Sequence, residues 1–390
     1  MPYSVFSDVA LTAVSAVLPS GGVSLADELR WFDGDRERME RYRETGGLDT
    51  RRIAPPGLTA SDLCIQAARR LLERTGTDKN DIGALFFVSL SPDYQLPASS
   101  ALQQHALGLS ADCSVMDMNL GCAGFVSALW IAAGLISARA CAKILLLTGD
   151  TPAGFTDPDN RVIAPVFGDS GTAALIEYRK GAGDMSFLIG SDGGKFENLV
   201  IPGGGARIPY LREEGPDSPY NRIVRDGNGN PCTLGGYCRI WMDGMGIYAF
   251  AASVIPPHIN RHLSLAGRAA RDLDRLLLHP ANKLLVGVIA KKTGFASNPP
   301  PCESLAAYGN LGGASLPALL CHHYNGKGRE EKREQCLLCG FGAGLAWSSC
   351  LLSLKDTLLL EPQDYTAPEN MPGRDAHVAH WHAKFAGKER

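Results

Sequence analysis

The 390-residue chain lacks a strong charge of either sign, a paired-cysteine framework, and an uninterrupted apolar stretch long enough to span a bilayer. Each absence excludes a class of protein. With 38 Lys and Arg against 41 Asp and Glu, the net charge of −3 offers nothing to a polyanion, so no nucleic-acid partner is expected. Eleven cysteines are an odd number, scattered, with Cys64, Cys141 and Cys350 inside apolar runs. That usage suits a reducing cytoplasm rather than a secreted disulfide scaffold. Residues 126–136 come closest to a membrane span, but the flanking glycines, Ser137 and Arg139 fit a core helix better. The opening MPYSVFSDVALTAVSAVLP has no basic leader and reads as a first strand, not a secretory signal. With 45% hydrophobic residues, the chain can bury one large domain or two fused halves.

What is present is most informative between Ser114 and Asp150, SVMDMNLGCAGFVSALWIAAGLISARACAKILLLTGD. A short apolar strand ends in Asn119-Leu120-Gly121, and Cys122 follows at the start of a helix predicted to about Ala140. That helix is apolar almost all round, as a helix buried inside a large domain must be. The strand Lys143–Gly149 is apolar enough to be covered on both faces. A thiol at a helix N-terminus sits where backbone N–H groups favour negative charge, so its pKa is expected to fall. Gly121 and Gly124 would let backbone and substrate approach it closely. Cysteine in an apolar helix is commonly inert core; partners elsewhere in the chain argue otherwise. One is His279, closing the short strand of Leu276-Leu277-Leu278 before Pro280-Ala281-Asn282. The other is Asn310, in a glycine-rich loop before a second apolar helix. Functional residues commonly sit on such loops past strand ends.

Together these segments resemble the β-ketoacyl-acyl-carrier-protein synthase III branch of the thiolase superfamily, from about residue 3 to 353. Leu120–Phe125, LGCAGF, is similar to that family's nucleophile motif. HPAN, at 279–282, resembles its His-Gln-Ala-Asn motif with Pro280 in place of Gln, and YGNLGGAS, at 308–315, its Tyr-Gly-Asn-Thr-Ser-Ala-Ser motif. SPDYQLP at 91–97, VFGDSGTAAL at 166–175 and CGFGAGLAW at 339–347 agree and fall in the family order. The resemblance implies an α/β thiolase fold, layered αβαβα, with two pseudo-equivalent halves. The expected divisions are 1–176 with the nucleophile, 177–360 with His and Asn, and a C-terminal extension at 361–390. Strands and helices alternate in both halves in a recurring order, in agreement with that layering. A Gly-, Pro- and Arg-rich insertion at 209–238 separates them and, by resemblance, would cover the acyl pocket as a lid or interface segment.

By the same resemblance, Cys122 would take an acyl group from a thioester. The backbone N–H groups of Cys122 and Ala343 would form the oxyanion hole. His279 and Asn310 would donate hydrogen bonds to a second thioester and so stabilise the enolate left when carbon dioxide departs. Leu96, Phe167 and Asn282 would bind substrate. No cofactor and no metal is implied. The expected partners are acyl-carrier-protein or CoA thioesters and a second copy of the chain, in the cytoplasm, without a membrane.

Four other motifs are set aside. Gly168-Asp169-Ser170-Gly171 imitates a serine-protease nucleophile but reads as a tight turn before a strand. Cys336 and Cys339, near Cys321, His322 and His323, suggest zinc, yet the two lie in a strand whose side chains alternate in direction. Gly340, Gly342 and Gly344 lack the context of a dinucleotide fingerprint. The tail's His377, His380 and His382 are a weak metal-like spacing and read as a solvated or partner-packed segment.

Departures from the family bear on the substrate. Family members that begin fatty-acid synthesis from acetyl-CoA stack Trp and Arg on the adenine. Here Glu40 and Gly154 stand at about those places. Losing such a clamp removes about 1–3 kcal/mol. An acyl group delivered by a carrier protein or an unusual donor is therefore expected. Leu96, where an aromatic commonly reaches the neighbouring subunit, implies a deeper acyl site for a medium or bulky chain. Lys283, Lys291, Lys292, Arg268, Arg271 and Arg275 form either a basic rim for an acidic carrier or an ordinary solvated face. Condensation leads; transfer to an oxygen or nitrogen acceptor, or a non-catalytic partner role, remain alternatives.

Overall fold

A computed structural model describes residues 2–208, 223–225, 231–233, 239–326, 334–368 and 373–386. The insertion expected to act as a lid at 209–238 lies outside the described residues, apart from a short antiparallel ladder of Ile223–Arg225 with Pro231–Thr233.

Twelve strands build two large sheets among the described residues. In chain order they are β1 (Tyr3–Phe6), β2 (Val9–Leu18), β3 (Ala84–Val88), β4 (Ser114–Met118), β5 (Lys143–Asp150), β6 (Ser170–Tyr178) and β7 (Met185–Ser191). Then come β8 (Arg275–Leu278), β9 (Cys336–Gly342), β10 (Ala346–Leu352), β11 (Leu358–Leu359) and β12 (Gln363–Asp364). The first sheet runs β11-β2-β6-β5-β3-β4, with β12 also on β2, and the second β1-β7-β10-β9-β8. The same pairing pattern appears in both. In the first sheet β2/β6 and β6/β5 are antiparallel while β5/β3 is parallel. In the second β7/β10 and β10/β9 are antiparallel while β9/β8 is parallel.

Five layers follow from where the apolar faces go. Helices α1 (Ala60–Thr75) and α2 (Ser99–Leu107) cover the outside of the first sheet. Helices α3 (Gly124–Ser137) and α4 (Ser315–His323) fill the space between the sheets. Helices α5 (Gly244–Leu265) and α6 (Lys283–Lys292) cover the second sheet. The all-round apolarity of α3 is thus explained: it touches both sheets. The arrangement is the αβαβα layering that the alternating elements suggested. At the start of α1, Thr59 and Asp62 cap each other reciprocally.

Three differences from the sequence reading are physical. The single strand expected from Ser4 to Leu18 is two, because Asp8 turns the chain in a left-handed conformation (φ 59°). β1 then joins the second sheet and β2 the first. Conversely β11 and β12, late in the chain, pair with β2, so strands cross the division at 176 in both directions. The tail, read as a solvated or partner-packed segment, carries a helix, α7 (Arg374–Ala386), exposed along its described length. Its Trp381 ring meets Tyr94 edge-on at 6.2 Å.

Two histidines pin α5 to the second sheet. Ser349 Oγ lies 2.8 Å from His258 Nε2 and 2.6 Å from His262 Nδ1, and His262 Nε2 lies 3.0 Å from Ser186 Oγ. Burial lowers His258 to about 3 and His262 to about 4. Each is neutral when folded and regains an ordinary pKa near 6.5 on unfolding. The unfolded state therefore binds more protons, and stability is lost as pH falls below 6.5. Buried Asp150 and Asp169, raised to about 6 and about 7, act in the opposite sense, so the readout is a difference between variants. Replacing His262 by Asn should flatten the acid-side dependence of unfolding free energy by about 1.4 kcal/mol per pH unit between pH 6 and 5. Urea denaturation at several pH values measures this; an unchanged slope contradicts the neutral-histidine assignment.

Candidate active site

The repeated topology brings four strand ends to one place. β4 leads into the turn carrying Cys122 and then α3, while the Asn310 loop leads into α4. These are corresponding positions in the two halves. β5 ends at Asp150, β9 at Gly342, and β8 at Leu278 just before His279.

Cys122 is held by backbone contacts that leave no room for side chains. A Cβ on Gly342 would fall 2.9 Å from Cys122 Sγ, and one on Gly340 would fall 2.5 Å from the Cys122 carbonyl oxygen. Strand β9, from the second half, thus lies directly against the nucleophile candidate of the first. On the next strand of the second sheet, Ser348 donates to the Ala123 carbonyl at 2.8 Å. Neither the Cys122 nor the Ala343 amide is spent on a turn or loop hydrogen bond among the described residues.

Asn310 is fixed by its own loop. Gly309 (φ 81°) and Gly312 (φ 58°) adopt left-handed conformations on either side of it. Its backbone forms an isolated bridge with the segment 166–168 before β6, donating to Val166 O at 2.9 Å and accepting from Gly168 N at 3.0 Å. Its Oδ1 accepts from Gly312 N at 3.1 Å and from the Ser315 hydroxyl at 3.4 Å. With the oxygen so occupied, the amide NH₂ is the end left to donate. Three residues along, an ideal Cβ on Gly313 would fall 3.1 Å from the Gly121 carbonyl oxygen. This loop therefore abuts the cysteine turn.

His279 continues β8, donating its backbone N–H to Cys339 O at 2.9 Å, and its ring meets Phe341 edge-on at 5.7 Å. Only 1% of it is exposed. Burial lowers its pKa to about 3, so the imidazole is neutral. Its Nδ1 has no hydrogen-bond partner among the described residues. An unsatisfied buried polar atom costs about 1–3 kcal/mol.

A cavity of about 320 Å³ opens onto this cluster. Cys122, Asn119, Asp150, Ser91, Gly312 and Ala343 form its polar end. Phe155, Phe167, Leu199, Val200, Ile201 and Ile240 supply an apolar wall. Cys122, Ala343 and Phe167 thus share one cavity. His279 and Asn310 are buried and do not line it; Asn310 pairs with the lining residue Phe167, and the His279 ring packs on Phe341. Residues 199–201 and 240, which flank the insertion, were missed in sequence; the apolar run Leu199-Val200-Ile201 before Pro202 was the available signal.

One expectation needs correction, and two residues expected to bind substrate lie away from this cavity within the chain. Burial pushes the Cys122 thiol up to about 12, with the Asp150 carboxylate raising it further. Helix α3 begins two residues beyond the sulfur, and desolvation outweighs its dipole. Asn282 caps α6, its Oδ1 accepting from Leu284 N at 2.9 Å and Leu285 N at 3.2 Å, and it is not part of the cavity wall. Leu96 is 87% exposed and does not line the cavity within its own chain.

Among the described residues no helix is long and apolar enough to cross a membrane. Residues 116–193 match the family described as 3-oxoacyl-[acyl-carrier-protein (ACP)] synthase III, and residues 263–354 match its C-terminal part. A putative 3-oxoacyl-[acyl-carrier-protein] synthase 3 of Campylobacter jejuni is 32% identical over 352 residues, covering 90% of this chain and 95% of that protein. A β-ketoacyl-[acyl-carrier-protein] synthase III of Rhodopirellula baltica is 31% identical over 331 residues, 79% of this chain and 88% of the relative. The crystal structure of a 3-oxoacyl-(acyl-carrier protein) synthase from Burkholderia xenovorans superposes with a TM-score of 0.83 at 31% identity, over 93% of this chain and 99% of that one. With the five-layer architecture and the six motifs in order, these likenesses place the chain in the 3-oxoacyl-[acyl-carrier-protein] synthase III family, on the thiolase fold.

Proposed function

We propose that this enzyme is a decarboxylating condensing enzyme, acting as a cytoplasmic homodimer in a specialised lipid, polysaccharide or natural-product pathway. Cys122 attacks an acyl thioester, its sulfur forming the new acyl bond as the donor's thiol leaves. The thiol proton passes to the departing thiolate of the donor at this step, since burial keeps the resting residue a thiol. The Cys122 and Ala343 amides receive the oxyanion; each such donor is worth about 3–4 kcal/mol in other acyl-transfer sites. A malonyl thioester then binds with its carbonyl oxygen toward His279 and Asn310. Carbon dioxide leaves, the enolate attacks the acyl carbonyl, and the sulfur of Cys122 departs to give a 3-oxoacyl thioester. An enolate needs donors without a competing charge, and His279 is neutral while Asn310 has its NH₂ free. The observation carrying this reading is the convergence of Cys122, two uncommitted amides and the Asn310 loop at one cavity end.

The donor is proposed to be a carrier-bound or medium-chain acyl group rather than free acetyl-CoA. The cavity's apolar wall and its 320 Å³ suit more than an acetyl group. The adenine clamp is also missing: Gly154 is exposed, and Glu40 faces Arg43 at 3.1 Å while Arg43 also pairs with Asp49 at 2.9 Å. Leu96, exposed on its own chain, is available to a second copy. Among the six expected basic-rim residues, Lys283, Lys291, Arg268 and Arg271 are exposed and available to an acidic carrier.

Cys122→Ala should abolish acyl loading in an intact-mass assay. His279→Ala or Asn310→Ala should load normally and lose malonyl-dependent carbon dioxide release by at least a hundredfold; loading without any carbon dioxide in the wild type would instead mark a non-condensing transferase. Gly342→Ala should cut loading at least tenfold, because its methyl group would occupy the sulfur's place. In a scan of acyl donors, carrier-bound medium chains should load faster than acetyl-CoA, and acceptance of acetyl alone would refute the deeper pocket.

A further inference from the structure

Asp150 is a buried carboxylate to which the condensation chemistry assigns no part. It closes β5, is 2% exposed, and has no ion-pair partner among the described residues. Its two oxygens instead accept from neutral donors in two different loops. Oδ1 accepts from Leu90 N at 2.7 Å and from the Ser89 hydroxyl at 3.3 Å. Oδ2 accepts from Gly313 N at 3.0 Å. Both loops reach the cysteine turn: a Cβ on Gly121 would fall 2.9 Å from Leu90 Cδ1, and one on Gly313 would fall 3.1 Å from the Gly121 carbonyl oxygen. Gly312 leaves the space the carboxylate needs, since a Cβ there would fall 2.6 Å from Asp150 Oδ2. The carboxylate also borders the same cavity as Cys122.

We propose that Asp150 is a positioning residue, whose carboxylate clamps the Asn310–Gly313 loop and the Ser89–Leu90 strand end around Cys122 and thereby holds Asn310 in register for decarboxylation. Two inward-pointing amides on opposite sides require an acceptor at both ends of one planar group, which a carboxylate provides and a carboxamide does not. Removing that acceptor from one side frees the loop that carries Asn310 while leaving the cysteine turn anchored through Gly340, Gly342 and Ser348. Loading and decarboxylation should therefore part company.

Ionisation adds a second signature. The titratable groups facing Asp150 are Cys122 before α3, Cys64 on α1 and Asp169 before β6; Arg51 acts on Asp169, and no cation acts on Asp150 itself. Burial raises Asp150 to about 6, against the hydrogen bonds from Leu90, Gly313 and Ser89. Protonation places a hydrogen between one oxygen and an amide that also donates, so the clamp opens as pH falls through that value.

The inference rests on the condensing reading of Asn310, and its test separates the two. Asp150→Asn keeps the shape of the side chain and turns an NH₂ against one of the two amides. In this variant, carbon dioxide release should fall at least tenfold further than acyl loading of Cys122. Hydrogen exchange in peptides covering 88–91 and 310–315 should quicken at least tenfold, with the remaining core unchanged. The pH dependence of iodoacetamide alkylation should shift toward lower pH, because a like charge beside the thiol is gone. In the wild type, which needs no variant to fold, decarboxylation should decline between pH 7 and 5 more steeply than loading. Unchanged exchange in both segments, or equal losses of loading and decarboxylation, overturns the positioning role. If the wild type releases no carbon dioxide, the condensing reading fails, whereas the exchange and alkylation results still decide whether Asp150 holds the loop.

Discussion

The contact on which this molecule depends is backbone against sulfur. Gly340 and Gly342 press on Cys122 so closely that no side chain could stand between them. Through that contact the second sheet sets the position of a residue belonging to the first half, and the two sheets cannot separate without dismantling the site. The central layer makes this approach possible. α3 and α4 are apolar on every face because each is sandwiched, and their burial draws the carboxyl ends of β3, β5, β8 and β9 together. The fold's internal repetition then has a chemical consequence: equivalent positions before α3 and α4 carry Cys122 and Asn310.

Electrostatics in the site follow from desolvation more than from any partner charge. Burial holds Cys122 as a thiol and His279 as a neutral base, and it lifts Asp150 and Asp169 well above the ordinary carboxylate range. A neutral resting site suits a reaction in which negative charge appears first on a thioester oxygen and then on an enolate, where fixed dipoles act most strongly in a dry interior. Asp150 is the exception, a carboxylate satisfied entirely by N–H and O–H donors rather than by a cation.

Much of this was readable in sequence because it follows from local rules. The buried apolar helix expected after Cys122 forms as α3, and the strand expected at Lys143–Gly149 forms as β5. Cys122, His279 and Asn310 stood out because each follows an apolar run and precedes a helix or turn. Asn282, by contrast, looked like a substrate contact through its motif, yet its side chain satisfies orphan amides at a helix start. Leu199, Val200 and Ile201 carried no chemical label, and only folding showed them facing the cavity.

The amino-acid order by itself determined the layered class, the family motifs and the residue types available for acyl chemistry, since these depend on patterns of a few adjacent residues. Three-dimensional packing alone decided the rest. It split the first strand at Asp8 between two sheets, returned β11 and β12 to β2, and reversed the expected direction of the Cys122 pKa. The reason is common to all three: strand partnership and desolvation are set by neighbours tens or hundreds of residues away, and no local pattern encodes how deeply a sulfur or a carboxylate will be buried.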